Sequence, residues 1–81
     1  MILPGKHLRP DRALLAVGGD ILSVLSAPAP VSDVWERVVG LRAAREGMSP
    51  LSFDWFVLAL SLLFAMKAID LDGGLIVRAG P

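Results

Sequence analysis

The sequence predicts a mainly helical domain with a small β-hairpin, arranged as a winged helix in which three helices precede a short wing. Apolar residues recur at helical spacing in three segments, and proline-containing turns at residues 27–30 and 47–50 separate these segments. Gly73-Gly74 then joins two short segments in the manner of a tight hairpin turn. We therefore expect an extended arm over residues 1–10 and a single domain over residues 11–81.

The first predicted helix begins near Arg12, with Asp11 as its N-cap, and ends at the prolines of residues 27–30. Gly18-Gly19 in its middle costs about 1 kcal/mol per residue relative to alanine, which indicates close packing of another segment there. Six residues at helical spacing form its predicted buried face: Leu14, Leu15, Gly18, Ile21, Leu22 and Leu25.

The second predicted helix begins at Ser32 as N-cap and runs to about Glu46. Arg37, Arg42 and Arg45 spread around it among acidic residues, which predicts a solvated helix surface. The core is the favoured place for its tryptophan. Its predicted apolar stripe consists of Val34, Trp35, Val38 and Leu41.

The third predicted helix has Ser52 as its N-cap, runs to about Ala68, and is apolar on two opposite sides. One side carries Phe53, Phe56, Val57, Leu60 and Phe64. The other side carries Trp55, Leu58, Leu62, Met66 and Ile69. A helix that is apolar all round must be covered all round, and the rest of this chain is large enough to cover about half of it. We expect the other half to contact another protein.

The candidate contact residues come from the arm and from the second of these two sides. The pattern leaves open which side is internal, and for Trp55 a core position and an interface position are equally supported. The histidine of the arm is expected in a contact rather than a catalytic role, because no nucleophile stands out beside it. The candidate partner-interface residues are Ile2, Leu3, His7, Trp55, Leu58, Leu62 and Met66.

The composition of the chain points away from catalysis and towards protein contacts. Of its 81 residues, 54% are hydrophobic, above the roughly 45–50% of typical soluble domains. A domain this small cannot bury so much apolar material, so some of it must be exposed or covered by a partner. The absence of cysteine and the single histidine exclude disulfides, thiolate zinc sites and multi-histidine metal sites. We therefore predict neither an enzymatic activity nor a cofactor.

The charge pattern argues against direct binding of nucleic acid and against a membrane-spanning helix. Eight basic and eight acidic residues balance, and the third helix offers only Asp54 and Lys67 as charged side chains. Phosphate contacts need positive charge, so this chain is not expected to bind DNA directly. Residues 55–66 form an uncharged run shorter than the about 20 residues of a membrane-spanning helix. Without a signal-peptide pattern at its start, the chain is expected in the cytoplasm.

Six stretches resemble a known family in order and spacing. They are Leu3-Pro4 with Lys6-His7-Leu8, Asp11-Arg12-x-Leu14-Leu15-x-Val17-Gly18, Val31-Ser32-x-x-Trp35-Glu36, Phe53-Asp54-Trp55-Phe56-Val57-Leu58-Ala59-Leu60, Leu62-Leu63-Phe64 and Ile69-Asp70-Leu71. In these stretches the chain resembles the middle component 6 proteins of prokaryotic ABC-three-component systems. The resemblance implies a non-catalytic adaptor that works with an ATPase of the SMC and Rad50 type and a third, effector component. It also implies a role in defence against phages and other foreign DNA.

Two other functions use the same exposed apolar helix. In one, the chain is a dimeric winged-helix regulator that self-associates through this helix and binds duplex DNA. In the other, it is an antitoxin-like inhibitor of a toxin encoded beside it. Binding to duplex DNA distinguishes the first alternative, and the identity of the neighbouring genes distinguishes the second.

Overall fold

The computed structural model describes residues 10–45 and 50–79, with side chains described from Arg12 onward. Its elements are α1 (Pro10–Val24), α2 (Val31–Ala43), α3 (Phe53–Ala65), β1 (Ile69–Asp72) and β2 (Leu75–Arg78). Helix α1 packs against both α2 and α3, and the two strands form an antiparallel hairpin. The predicted winged-helix-like order of three helices and a wing is confirmed.

The first two helices begin at different residues from those predicted. Helix α1 starts at Pro10, whose fixed φ suits a first turn, so Asp11 lies inside the helix and not at its cap. The N-cap of α2 is Pro30, which makes no side-chain cap hydrogen bond, so the prediction for Ser32 is wrong. The carbonyl of Pro30 instead accepts from the amides of Asp33 and Val34, both at 3.1 Å.

Helix α3 begins as predicted and ends earlier. The Ser52 hydroxyl accepts a hydrogen bond from the Trp55 amide at 3.2 Å, which confirms the predicted cap. The helix stops at Ala65 because Lys67 adopts a left-handed conformation, with φ of 61°. The Ala68 amide then donates back to the Leu63 carbonyl at 2.9 Å, a hydrogen bond typical of helix C-termini.

The wing is joined to the loop between α1 and α2. Gly73 and Gly74 form its turn with positive φ values of 59° and 83°, as predicted for this position. Ala29 pairs with Ile76 through two backbone hydrogen bonds of 3.1 and 2.7 Å. Strand β2 therefore lies between Ala29 and β1, and β1 is an outer strand.

The core lies between α1, α2, α3 and the inner side of β2. Its largest fully buried side chains are those of Phe56, Ile21, Leu25, Ile76, Val17, Val34 and Val38. Gly18 is buried where a Cβ atom would lie 3.3 Å from Cδ2 of Leu63, whereas Gly19 has open space. The packing reason expected for the glycine pair therefore applies to Gly18, and the close neighbour is a side chain and not a backbone.

Candidate protein-interaction site

The contact residues predicted on α3 differ in how far they are exposed. Leu58 is 46% exposed, Leu62 is half-buried, and Met66 at the helix end is 56% exposed. Trp55 is only 4% exposed, so we place its ring in the interior and remove it from the candidate interface. The three arm residues of the prediction, Ile2, Leu3 and His7, lie outside the described residues.

The buried face of α3 takes residues from both of the sides that the sequence predicts. Its buried residues are Trp55, Phe56, Ala59, Leu60 and Leu63. The sequence predicts Val57 on the side of Phe56, but Val57 is exposed, and it predicts Ile69 on the opposite side, but Ile69 is buried. With apolar residues on every side, periodicity cannot select the inner face. The contact between Leu63 and Gly18 of α1 shows how tertiary packing selects it.

The outer side of α3 forms a largely apolar surface. We call it the outer α3 surface, and it consists of the exposed Phe53, Asp54, Val57, Leu58, Ser61 and Ala65, with the exposed C-cap residue Met66 beyond the helix end. Ser61 contributes little polarity to it, because its hydroxyl donates to the Val57 carbonyl at 2.9 Å. An exposed apolar face of this kind on a small domain is typical of a protein-binding site.

An aromatic cluster holds one end of the outer α3 surface in place. The ring of Trp35 on α2 lies 5.2 Å from that of Phe53 and 5.1 Å from that of Phe56. Trp35 is half-buried and Phe56 is fully buried, while Phe53 remains 51% exposed. Phe53 therefore offers apolar area to a partner from an ordered position, which lowers the entropy cost of binding.

A buried ion cluster between α1 and α2 was missed in the sequence. Oδ2 of Asp20 lies 2.8 Å from Nη1 of Arg42, and Oδ1 of Asp20 lies 2.9 Å from Nη2 of Arg45. Asp20 and Arg42 are both buried, so the predicted solvated position of Arg42 is wrong. The signal was an aspartate at helical spacing between Val17 and Val24, on the face that packs inward.

Two further arginines bind the carbonyl end of α1. Nη2 of Arg78 donates to the Leu22 carbonyl at 2.9 Å, and Nη1 of Arg37 donates to the Val24 carbonyl at 3.4 Å. These cations lie where the helix dipole favours positive charge and where backbone acceptors lack helical partners. With the two arginines of the ion cluster, four of the six basic side chains that the structure describes therefore bind acceptors within the chain.

The described residues contain neither a candidate metal site nor a candidate membrane span. No group of three or more histidine, aspartate or glutamate side chains among them is placed to hold a metal ion. None of the helices in residues 10–45 and 50–79 is long and apolar enough to cross a membrane.

A comparison with protein families identifies the family of the chain. The family model for the ABC-three component (ABC-3C) system Middle Component 6 matches residues 3–79. The chain belongs to this family. Neither the curated proteins nor the solved structures contain a match. The family match spans all three helices and both strands, and its description makes this Middle Component 6 protein part of a multi-component ABC system.

Proposed function

We propose that this Middle Component 6 protein is a non-catalytic adaptor subunit of a cytoplasmic defence complex directed against phages and other foreign DNA. In this proposal, it bridges an SMC- or Rad50-like ABC ATPase and a third, effector component through protein contacts. The family match supports membership of such a system, and the outer α3 surface supports a role based on binding.

The outer α3 surface is the single observation on which the adaptor function depends. In DNA-binding winged helices, the corresponding helix carries basic and amide side chains into the major groove. Here the exposed positions include Val57 and Leu58, which are 41% and 46% exposed. Side chains of this type gain free energy by leaving water against another protein surface, and they cannot hydrogen-bond to base edges.

The placement of the basic residues argues in the same direction. Arg37, Arg42, Arg45 and Arg78 contact acceptors of the chain itself. A nucleic-acid site would require several cations aimed at phosphates from one face. In the part of the chain that the structure describes, these guanidinium groups instead hold α1, α2 and the wing together.

The test is co-expression of the tagged subunit with the other two components of its system. We expect the wild-type chain to co-purify with them in a fixed ratio, and the Leu58→Asp variant to lose this assembly. The matched control is Leu15→Asp on α1, because Leu15 is 54% exposed, so its predicted place on the buried face of that helix is wrong. Both substitutions place aspartate on a helix surface at similar intrinsic cost, and circular dichroism checks that each variant stays helical.

Three results contradict the proposal. The first is a wild-type subunit that remains separate from both other components. The second is a catalytic activity of the purified subunit alone. The third is salt-sensitive binding of the lone subunit to duplex DNA, together with formation of a homodimer in sedimentation experiments, which supports the regulator function instead.

A further inference from the structure

We propose that the outer edge of the wing binds an extended segment of another component, in which basic residues flank an apolar one. This inference rests on the proposed adaptor function and deepens it, because a bridging subunit needs a second contact besides the outer α3 surface. Three features of β1 carry it: backbone groups that point away from β2, carboxylates at alternate positions, and the exposed side chain of Leu71.

The backbone of β1 is directed outward at alternate residues. Ile76 directs its N–H and C=O to Ala29, so its pair residue Leu71 directs its own N–H and C=O away from β2. By the same alternation, Ile69 directs its backbone groups to this outer edge. In the part of the chain that the structure describes, no strand pairs with the edge, and residues 70–72 are exposed along it. An extended segment can therefore add to the sheet as a further strand.

The side chains of β1 specify the charge of the added strand. Successive residues of a strand project to opposite faces, so Asp70 and Asp72 lie on one face of the wing and Leu71 on the other. The cross-strand partners of the two aspartates, Val77 and Leu75, carry no charge. Lysine or arginine opposite the aspartates would form opposite-charge pairs on the outer side of β1. An apolar residue between them would pack beside Leu71, which is 55% exposed.

One carboxylate already occupies the edge. Oδ1 of Asp70 accepts a hydrogen bond from the Leu71 amide at 2.8 Å, and this amide is the donor that an added strand would use. A carbonyl of the added strand must replace the carboxylate, which is how charged side chains protect edge strands. A cation opposite Asp70 compensates the carboxylate for the lost hydrogen bond, whereas a neutral or acidic segment does not. Asp70 therefore makes the edge selective for basic segments.

The same charges exclude a second copy of the chain from this edge. Antiparallel pairing of two β1 strands about Leu71 would place Asp70 of each copy opposite Asp72 of the other. Like charges at directly opposite positions destabilise a sheet, and this pairing would create two such contacts. Charge complementarity therefore assigns the edge to a different protein, which is basic where this chain is acidic.

The experiment screens overlapping peptides from the other two components for binding to the full-length chain by fluorescence anisotropy. We expect the bound peptides to share a basic, apolar, basic pattern at consecutive residues and to gain no helicity in circular dichroism. In NMR spectra of the bound state, hydrogen exchange of the Leu71 amide should slow, because this amide then donates to the added strand.

Two variants test the edge, and circular dichroism checks that each stays folded. Leu71→Pro removes the outward N–H and no hairpin hydrogen bond, and it should weaken binding by at least about tenfold. Asp72→Lys should weaken binding by about fivefold. A peptide in which glutamate replaces one of the two basic residues should then recover affinity for Asp72→Lys. The control Glu36→Lys makes the same change of charge at an exposed position of α2 and should leave the affinity unchanged.

Several results would overturn the inference: wild-type affinity of Leu71→Pro, equal effects of Asp72→Lys and Glu36→Lys, bound peptides that are acidic or gain helicity, or no bound peptide. A wild-type homodimer that Leu71→Pro abolishes in sedimentation experiments would also overturn it, because a second copy would then occupy the edge. In each of these cases the adaptor function stands if the three components still co-purify, whereas failed co-purification contradicts the adaptor function itself.

Discussion

The α1–α2 side of the molecule and the α3–wing side place charged and apolar groups in opposite ways. Between α1 and α2, Asp20 and Arg42 form an ion pair in the interior. On the α3–wing side, Leu58, Met66 and Leu71 are each about half exposed, and the aspartates of α3 and β1 are exposed as well. The usual segregation of charge to the surface and apolar groups to the core is thus partly inverted.

This contrast relates the composition of the chain to its structure. A buried ion cluster needs matched geometry, because each charge loses hydration that only its partner replaces. It therefore holds α2 in one position relative to α1, at the expense of core volume that apolar side chains would otherwise fill. Among the described residues, eight large apolar side chains are exposed, and four of them belong to the outer α3 surface. We infer that the first side builds the fold and the second side is available for assembly.

The largest expected effect comes from breaking the ion cluster. Asp20→Ala should lower the free energy of unfolding by about 3–5 kcal/mol, because Arg42 is left buried without its partner. Urea denaturation followed by circular dichroism measures this change. The control is Asp72→Ala, which removes the same group from the exposed wing and should stay within about 0.5 kcal/mol of the wild type.

Equal stabilities of the two aspartate variants would contradict the contrast between the two sides. Within the cluster, Arg45→Ala should cost about 1 kcal/mol or less, because the side chain of Arg45 is 45% exposed and water already screens its ion pair.

A smaller effect is expected from the two adjacent glycines of α1. Gly19→Ala should raise the free energy of unfolding by about 0.5–1 kcal/mol, because alanine favours the helix and the site is open. Gly18→Ala should lose this gain, because the new methyl group meets Leu63 at 3.3 Å. Thermal unfolding of both variants gives the comparison, and an equal gain in both would show that α3 does not pack closely on Gly18.

The smallest expected effect is at the end of α3. Lys67→Gly should raise the free energy of unfolding by about 0.5 kcal/mol, because glycine adopts the left-handed conformation without steric cost. Part of this gain is lost with the lysine charge, which interacts favourably with the helix C-terminus. Lys67→Val, a β-branched residue with the same loss of charge, should be less stable than the wild type. If both variants have the stability of the wild type, the left-handed conformation at this residue costs nothing measurable.

The turns and caps were the most predictable parts of the fold. The glycine pair of the wing and the Ser52 cap are local features, in which a few neighbouring residues decide the backbone conformation. Pro30 at the start of α2 was less predictable, because Ser32 is the better cap by residue type. The pairing of Ala29 with the wing was not predictable, since it joins residues far apart in the sequence.

By itself, the sequence determined the number and order of the elements and the presence of more apolar side chains than one small core can hold. Spacing, turn residues and composition are properties of the chain before it packs. Only the tertiary structure decided that Trp55 is buried, that Val57 and Leu58 are exposed, and that Arg42 lies inside with Asp20. A helix that is apolar on every side has no intrinsic inner face. Its inner face is set by the helices that reach it, and the candidate site is the side they leave uncovered.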